Sequence, residues 1–428
     1  MPSKSPVERD WAFDRSTGDL SQQLAGVIRD LVASGKLQRG DRLPASRALA
    51  RDLSLARGTV MTALEILIAE GLLEAKVGAG TFVACDPQDL RPSQSPHPPR
   101  EYPFRQGLAT PDVDGVSAGS LDLRAGRPSL EAFPLNIWRR CLSAAASAVP
   151  SSDYGEAMGL LELRQAVVDY LRRARGLVTT IDLVIITNGT VHAMHLLARL
   201  FLDESRCVAV ESPGYPLARQ TLASTGARVL CGRVDDDGLV VSDIIEPPSA
   251  SLMVPQVVYV TPSHQFPFGS RLSFNRRKQL IDWAERKDGL IIEDDYDGEF
   301  RYDVAPLPPL ASLGAPHVVY CGTFSKTMFP GLRLGFAVAP KSIASAMGDT
   351  RAITEYAPCS VTQRALAMFI ESGDYERHIL RMRRIYAAKR KALVQAFRNH
   401  AAVTGLESGL SAVVRQPARC KREQVAQR

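Results

Sequence analysis

Closely spaced cysteine pairs are missing from this chain of 428 residues. Its seven cysteines are scattered and form no C-x-x-C motif, which argues against a disulfide framework and against a zinc site. The first ten residues lack the apolar core of a signal peptide, and no apolar run is long enough to span a membrane. No internal repeat is evident. These absences predict a protein of the reducing cytoplasm without a membrane partner.

A basic excess at the amino-terminal end is also missing, although the whole chain carries a net charge of +6. Residues 1–85 hold 11 Lys and Arg against 10 Asp and Glu, whereas residues 371–428 hold 13 against 5. The positive charge is therefore concentrated near the carboxyl end. Binding of nucleic acid by the first segment has to be inferred from motifs and not from net charge.

Length and composition predict a soluble protein of two or three domains. A chain of 428 residues exceeds one ordinary hydrophobic core, and 45% hydrophobic with 23% charged residues is typical of globular proteins. Residues 85–118 are rich in Pro, Ser and Gln and predict an extended linker. At roughly 3.1 Å per residue this linker could reach on the order of 100 Å. The preceding domain could therefore pack on another subunit.

Before the linker, the sequence predicts a helix-turn-helix followed by a wing. Apolar residues of a first helix recur at helical spacing, at Leu20, Leu24, Ile28 and Leu31. Residues 47–53 and 57–70 predict two further helices, and residues 72–76 and 81–84 predict two strands around a Gly-rich turn. This order of elements is typical of winged helices that bind DNA.

Basic and hydroxyl side chains stand at the starts of the second and third predicted helices. Arg57 and Thr59 open the third helix, where side chains can enter a major groove and an arginine can pair with guanine. Ser46 and Arg47 open the second helix and suit backbone phosphates. The same arginines are also compatible with a solvated surface used for protein contacts.

The predicted wing completes a resemblance to a known family. Gly80 and Thr81 at its tip allow close approach to the minor groove or the sugar-phosphate edge. With segments 43–50 and 56–60, they resemble the winged helix of GntR-family regulators over about residues 14–84. The resemblance implies binding to double-stranded operator DNA. One departure is Ala56, where family members usually carry Ser or Thr, and the lost helix cap costs roughly 1 kcal/mol.

After the linker, residues 119–414 predict an α/β domain. The predicted strands are 183–187, 208–210, 257–261, 290–293, 318–320 and 336–338. The predicted helices are 160–175, 191–201, 274–286 and a long basic helix at 371–399. Such alternation predicts a mostly parallel sheet covered by helices.

Lys326 is the most informative residue of this second domain. It follows Thr323 and Ser325, and Arg333 comes seven residues later. The lysine amine can condense with an aldehyde, while the hydroxyl groups and the guanidinium could hold a phosphate. The segment therefore predicts a Schiff-base site for pyridoxal 5'-phosphate, although a lysine taken alone is more often a surface residue.

The domain resembles fold-type I, class I aminotransferases over about residues 120–400. The resemblance implies that Lys326 forms the internal aldimine and that Asp294 pairs with the protonated pyridine nitrogen. It further implies that Tyr296 donates to the phenolic oxygen of the ring and that Tyr215 stacks on its face. Phe266 is a departure, because true aminotransferases usually carry there an asparagine bonded to the cofactor.

The same resemblance implies a cup for the phosphate group. Gly189 and Thr190 stand between a predicted strand and a predicted helix, where backbone N–H groups and the helix dipole suit a dianion. Ser325 and Arg333 would complete this cup. Each of these residues also has an ordinary use in a turn or a helix cap, and only the combination favours the cofactor.

The order of winged helix, linker and aminotransferase-like domain resembles MocR/GabR-type transcriptional regulators, as do segments 263–267 and 293–297. The resemblance implies a homodimer in which each DNA-binding head docks on the body of the other subunit. It also implies a small amino-compound effector that displaces Lys326 from the cofactor by transaldimination and so shifts the affinity for DNA.

Residues 415–428 are polar, basic and aperiodic. They predict a disordered tail in place of the rest of the small domain, which in the family carries an arginine for the substrate carboxylate. We therefore expect the carboxyl-terminal small domain to be incomplete. Two other functions stay open: an aminotransferase with an attached DNA-binding head, and a degraded regulator that binds DNA but senses nothing.

Overall fold

The computed structural model describes residue 11 and residues 13–14, 18–86, 125–245, 254–302 and 307–415. The chain divides into two compact units, Met1–Arg105 and Gln106–Arg428. Nearly all of the predicted linker, from residue 87 onward, and all but the first residue of the predicted tail lie outside the described residues. The predicted domain limits therefore stay predictions. None of the described helices is both long and apolar enough to cross a membrane.

Three helices and one hairpin form the described part of the first unit. Helices α1 (Leu20–Ala33), α2 (Ser46–Asp52) and α3 (Arg57–Ala69) precede the antiparallel strands β1 (Leu73–Lys76) and β2 (Gly80–Val83). These elements confirm the helix-turn-helix with a wing. They form because apolar side chains at helical spacing pack into one small core, which includes Leu24, Ile28, Val60, Ala63, Leu67 and Val83.

The helix starts in this unit differ in how they are capped. The Asp19 carboxylate accepts a hydrogen bond from the backbone N–H of Ser21 at 2.9 Å and so caps α1. No side chain caps α2 after Ala45 or α3 after Ala56. The alanine at position 56 thus leaves the first N–H groups of α3 without a side-chain acceptor, as the sequence predicts.

An eight-stranded sheet forms the centre of the second unit. Its strands are β3 (Val184–Thr187), β4 (Cys207–Ser212), β5 (Arg228–Asp235), β6 (Gly238–Leu239), β7 (Val257–Val260), β8 (Leu290–Asp294), β9 (Val318–Thr323) and β10 (Gly335–Val338). They lie in the order β3-β10-β9-β8-β7-β4-β5-β6. Strands β5, β4, β7, β8 and β9 pair in parallel, whereas β10 is antiparallel to both of its neighbours and β6 is antiparallel to β5. The predicted mostly parallel sheet is confirmed.

Helices cover both faces of this sheet. They are α4 (Leu135–Ala146), α5 (Leu161–Arg175), α6 (Thr190–Phe201), α7 (Pro216–Ala223), α8 (Ser242–Ile245), α9 (Phe274–Lys287), α10 (Lys341–Ala352), α11 (Ser360–Glu371) and α12 (Asp374–Phe397). Alternate strand residues enter two separate apolar cores: Ile186 lies in one, and its neighbour Ile185 lies in the other. This two-sided burial explains why the strands are continuous apolar runs in the sequence.

The carboxyl-terminal part of the described chain corrects one prediction. The long basic helix begins at Asp374 and not at residue 371, because Gly373 adopts a left-handed conformation with φ +72° and separates α11 from α12. A hairpin of β11 (Ala402–Thr404) and β12 (Val413–Arg415) follows α12 and was not predicted. The loop of this hairpin contacts the segment that follows β8, where the Tyr302 hydroxyl donates to the Gly409 carbonyl at 2.9 Å.

Candidate cofactor site and DNA-reading surface

A cavity of about 460 Å³ opens at the carboxyl ends of β3, β7, β8 and β9. All nine residues that the sequence predicts for the cofactor line it: Gly189, Thr190, Tyr215, Asp294, Tyr296, Thr323, Ser325, Lys326 and Arg333. They are contributed by segments more than 140 residues apart in the chain. The carboxyl edge of a parallel sheet is where open α/β folds bind ligands.

Asp294, the last residue of β8, lies at the floor of the cavity and is 2% exposed. Its Oδ2 accepts a hydrogen bond from the Tyr259 hydroxyl at 2.9 Å, while its Oδ1 has no partner among the described residues. Burial raises the pKa of Asp294 to about 7, against the lowering effects of the Tyr259 bond and of Lys326. A buried oxygen without a partner is costly, and a cationic N–H group placed in the cavity would satisfy it.

Lys326 follows β9 and points to the same cavity. Its Nζ donates to the Gly126 carbonyl oxygen at 2.7 Å. Gly126 has a φ of +77°, and a Cβ at this position would lie 2.5 Å from the Lys326 Nζ. Only glycine therefore lets the backbone approach the lysine amine so closely. Burial lowers the pKa of Lys326, and the carboxylates of Asp297 and Asp294 oppose this shift only in part.

Donors suited to a dianion meet at another side of the cavity. Helix α6 begins at Thr190 after Gly189, whose φ of +91° suits glycine. The Arg333 guanidinium lies over this helix start and donates from Nη2 to the Asn188 carbonyl at 2.8 Å. The backbone N–H of Ser325 is used locally, since it donates to the Thr323 Oγ1 at 3.1 Å. A helix amino terminus beside an arginine is a common arrangement for binding phosphate.

Aromatic rings form a wall of the cavity. The rings of Tyr215 and Phe266 meet edge to face with centroids 5.8 Å apart, and Phe266 meets Tyr296 in the same way at 6.3 Å. Burial raises the pKa of Tyr215 to about 12, so its hydroxyl stays protonated at neutral pH. Phe266 thus contributes a ring to the cavity at the position where an asparagine was expected from the aminotransferase pattern.

The surroundings of Tyr296 include residues of the segments 263–267 and 293–297, which the sequence singles out without giving them individual roles. The His264 Nδ1 lies 3.0 Å from the Tyr296 hydroxyl and 3.0 Å from the Asp297 Oδ2. The same carboxylate oxygen accepts the backbone N–H of Leu410 at 3.1 Å. Burial lowers the pKa of His264, but the Asp297 carboxylate more than compensates, so that the pKa is raised overall. Ser411 also lines the cavity. The sequence signal for this cluster is the adjacency of Asp297 to the Asp294–Tyr296 segment.

In the first unit, the predicted DNA-reading residues lie at two exposed helix starts and on the wing. Arg47 and Arg57 are exposed near the starts of α2 and α3, and within residues 18–86 neither makes an ion pair. Ser46 and Thr59 are half-buried beside them. Such a pair of helix starts can hold phosphates and reach base edges.

The wing brings one further cation that the sequence did not identify. Gly80 and Thr81 begin β2, and the Arg42 side chain packs against Gly80, where an added Cβ would lie 2.9 Å from the Arg42 Nε. Arg42 also forms an isolated β-bridge with Phe82. A side chain at position 80 would displace the Arg42 guanidinium, and the φ of +118° at this position favours glycine. The Arg-Leu-Pro sequence at 42–44 was the available signal.

The fold and the cavity define an aminotransferase-type domain that follows a winged helix, and comparisons with known proteins agree. Residues 119–427 match the family "Aminotransferase class I and II", and residues 20–83 match "Bacterial regulatory proteins, gntR family". The aminotransferase match thus extends into the segment for which we predict a disordered tail.

Two curated relatives are similar over most of the chain. The probable rhizopine catabolism regulatory protein MocR of Rhizobium meliloti is 35% identical over 90% of this chain and 78% of its own length. The HTH-type pyridoxine biosynthesis transcriptional regulator PdxR of Corynebacterium glutamicum is 35% identical over 87% and 77%. The chain belongs to this family of HTH-type transcriptional regulators, in which a gntR-type domain precedes an aminotransferase-like domain.

Solved structures resemble the second unit. A kynurenine aminotransferase of Pyrococcus horikoshii, solved in complex with PMP, has a TM-score of 0.65 at 27% identity and covers 71% of this chain and 78% of its own. LysN, an α-aminoadipate aminotransferase of Thermus thermophilus solved with N-(5'-phosphopyridoxyl)-L-leucine, has a TM-score of 0.63 at 25% identity, with 70% and 78% covered. Aminotransferase neighbours of this kind imply a pyridoxal-phosphate type of site.

Proposed function

We propose that this transcriptional regulator binds pyridoxal 5'-phosphate in the cavity of its second unit and binds operator DNA through its first. A small amino compound that reacts at Lys326 is its effector. The observation that carries the proposal is the Oδ1 of the buried Asp294, which has no partner among the described residues and belongs to a residue that lines the same cavity as the Lys326 amine and the start of α6. A protein that acts on DNA in this way works in the cytoplasm.

The residues of the cavity fit the cofactor group by group. When bound, pyridoxal phosphate supplies an aldehyde that condenses with an amine and a ring that withdraws electrons from it. Asp294 would accept the ring N–H at Oδ1 and keep that proton on the nitrogen. Arg333 and the N–H groups at the start of α6 would hold the phosphate, and Tyr215 would cover the ring.

Lys326 supplies the reactive amine. Burial lowers its pKa, which increases the fraction of neutral amine that can act as a nucleophile. The Gly126 carbonyl accepts one N–H of this amine and so orients its lone pair. An effector amine that took the place of Lys326 would leave the lysine as a free amine, which could accept the proton that the ammonium group of the effector has to lose. The positive charge would then lie on Lys326 inside a buried site, and the effector would stabilise one conformation of the protein over another.

The first unit supports binding to double-stranded DNA through its exposed cations. Arg57 at the start of α3 would contact a base edge, and Arg47 with Ser46 would contact phosphates. Thr59, Gly80 and Thr81 would bring the recognition helix and the wing against the duplex. The family relationship supports the same assignment. We also propose a homodimer with exchanged heads. Analytical ultracentrifugation of the full chain tests the dimer by its mass.

A working aminotransferase is the second candidate, and the intact set of Lys326, Asp294 and Arg333 favours it. Phe266 argues against it, because phenylalanine cannot donate or accept a hydrogen bond to the cofactor. Multi-turnover conversion of an amino acid and a 2-oxo acid would support the enzyme. Binding of the amino acid without turnover would support the regulator.

Reductive trapping tests the cofactor assignment. The full-length protein is incubated with pyridoxal phosphate and reduced with borohydride, and the modified residue is located by peptide mass spectrometry. We expect one modified lysine, Lys326, and no specific modification in Lys326→Ala. Lys287→Ala, which removes an exposed lysine of α9, is the matched control and should be modified as the wild type is. Equal labelling of Lys326→Ala and the wild type would contradict the assignment.

A further inference from the structure

The segment 377–406 contains eight Lys and Arg residues and no Asp or Glu. Most of it is helix α12. Neither the cofactor cavity nor the DNA-reading surface uses this charge. A run of eight cations without a carboxylate is unfavourable by self-repulsion unless the charges face solvent or an anion.

Three of these cations have a structural use inside the second unit. Arg383 donates to the Glu299 carbonyl at 2.5 Å, Lys389 pairs with Glu131 at 3.3 Å, and Arg390 lies over the Tyr302 ring at 5.6 Å. These contacts tie α12 to the rest of the unit. Their charges therefore contribute to packing and leave the remaining five to be explained.

The other five cations form what we call the basic stripe: Arg377, Arg381, Arg384, Lys391 and Arg398, all exposed. Four of them recur every seven residues and the fifth lies between two of these, so at 3.6 residues per turn they fall within an arc of about 100°. Buried Ile379 and Met382 occupy the opposite face. Within the part of the chain that the structure describes, only Arg377 of the stripe has an acidic partner, Asp374 at 2.7 Å.

We infer that the basic stripe is a second DNA-binding surface that holds phosphates and reads no bases. From Arg377 to Arg398 it spans about 32 Å at 1.5 Å per residue, close to the roughly 34 Å of one duplex turn. Duplex DNA offers a phosphate charge every ~1.7 Å along its axis, so several cations on such a line can bind at once.

The chemistry of the stripe favours DNA over an acidic protein. The positions between its cations on the same face are Leu380, Ala388 and Gln395, and although Leu380 is exposed, none of the three is an aromatic anchor of the kind that dominates protein interfaces. The first unit is nearly neutral, with 11 basic against 10 acidic residues in 1–85, and supplies little general attraction to DNA. The stripe would supply the attraction that is independent of sequence, which goes beyond the base reading proposed for the first unit.

The salt dependence of DNA binding tests this inference. The probe is a fluorescent 60-base-pair duplex of mixed sequence, titrated with the full-length protein at several salt concentrations. In the variant with Arg381, Arg384, Lys391 and Arg398 all changed to Gln, we expect the slope of log affinity against log salt to fall by about 3 to 4. Near physiological salt the affinity should fall roughly 100-fold or more, since each phosphate contact contributes about 0.9 to the slope.

Two matched variants show whether the change in salt slope comes from the charge of the stripe, from the shape of its side chains or from charge at any exposed position. Changing the three arginines of that set to Lys keeps every charge and should keep the wild-type slope. Changing Arg206, Arg228, Arg286 and Lys287 to Gln removes the same charge from exposed positions on other elements and should change the slope by less than one. A wild-type slope in the stripe variant, or an equal loss in the Lys variant, would overturn the inference.

A polyglutamate competitor and an operator arm complete the test. If polyglutamate at equal charge displaced the duplex as well as unlabelled duplex does, the stripe would be a site for acidic proteins and the inference would be wrong. If the protein selects an operator but the stripe variant keeps the wild-type salt slope, only the inference about the basic stripe is contradicted. If the stripe variant loses the salt slope but the protein selects no operator, only the proposed function is contradicted.

Discussion

The functional groups of the candidate cofactor cavity and of the predicted DNA-reading surface differ in burial and in the number of their polar partners. In the cavity, polar groups are buried and mostly held by one another, as in the bond from Tyr259 to Asp294 and the pair of His264 and Asp297. On the surface of the first unit, Arg47 and Arg57 are exposed and lie without ion pairs within residues 18–86. Substitutions should therefore change stability and pH dependence in the cavity, but mainly ligand affinity on the surface.

The largest effect that separates the two regions is expected for Asp294→Asn. Without the carboxylate, the affinity for pyridoxal phosphate should fall at least 100-fold, because a charge-assisted hydrogen bond to the ring is lost. The protein without cofactor should gain stability at pH 7, because a carboxyl with a pKa of about 7 in the folded state, against 3.8 normally, costs about 4 kcal/mol.

The sign of this pH effect follows from the raised pKa of Asp294. The destabilisation is absent below pH 4 and grows as the pH rises from 4 to 7, because the unfolded chain loses its proton first. Urea unfolding of cofactor-free protein at pH 4.5 and 7.5 measures the change. Asp282→Asn on α9, which removes a half-buried carboxylate paired with Lys278, is the control and should not reproduce it. An Asn variant with the same pH slope as the wild type would show that Asp294 is not the strained group.

A somewhat smaller effect is expected for His264→Gln. Breaking a buried pair of His264 and Asp297 costs roughly 3 kcal/mol, because the carboxylate is left uncompensated. Since the folded-state pKa of His264 is raised, the stabilisation is complete below its ordinary pKa of 6.5 and is lost as the pH rises through the folded-state value. Thermal unfolding between pH 6 and pH 9 checks this.

If the wild type and His264→Gln lose stability in parallel as the pH rises, the pair of His264 and Asp297 is not the source of the pH dependence, and the prediction is wrong. His317→Gln, which replaces a half-buried histidine in the connection before β9, is the matched control. Its unfolding temperature should stay close to that of the wild type at each pH.

On the DNA-reading surface, Arg57→Ala should weaken operator binding by about 1–3 kcal/mol and relax the base preference at one position, as expected for a lost guanine contact. Thermal stability should stay within about 0.5 kcal/mol of the wild type, because the side chain is exposed. Fluorescence anisotropy with an operator selected from a random library measures the affinity. Arg47→Ala should weaken all sequences equally. Unchanged affinity in Arg57→Ala would refute the recognition-helix assignment.

The smallest effect is expected for Ala56→Ser, which supplies the missing cap of α3. It should raise the free energy of unfolding of the first unit by about 0.5–1 kcal/mol, because a hydroxyl oxygen can accept from the first free N–H groups. Hydrogen exchange of the α3 amides in the full chain reports this locally. Thr62→Ser, an exposed position inside the helix, is a control that cannot cap. No added protection in Ala56→Ser would mean that these N–H groups are already satisfied.

Much of the fold could be predicted from the sequence because each element has its own periodic signal. The strands of the second unit are uninterrupted apolar runs buried on both faces, and the helices of the first unit carry apolar residues at helical spacing. The start of α12 was predicted three residues early, because a helical pattern does not reveal the left-handed Gly373. The hairpin of β11 and β12 has strands of three residues, too short for a periodic signal.

The residues of the candidate site that belong to a local sequence motif were predicted. The residues that only the fold brings to the site were missed. Lys326, Asp294 and Arg333 stand in recognisable segments. Tyr259 supports Asp294 from a neighbouring strand, and Gly126 reaches Lys326 across 200 residues of sequence. Contacts of this kind depend on which strands become neighbours, and no local pattern contains that order.

The reversed strand β10 has a consequence for how the protein could transmit a signal. Because β10 runs against β9, the chain leaves the ligand edge of the sheet at Thr323 and returns to it at Gly335. One short connection therefore carries both Lys326 and Arg333, the amine and the anion anchor. If the cofactor binds as proposed, a displacement of Lys326 would be transmitted along this connection to Arg333, which would hold the phosphate at the opposite end of the ligand. Binding of the ligand and reaction at Lys326 would thus both act on the same short connection between β9 and β10, and no second segment would be needed to link them.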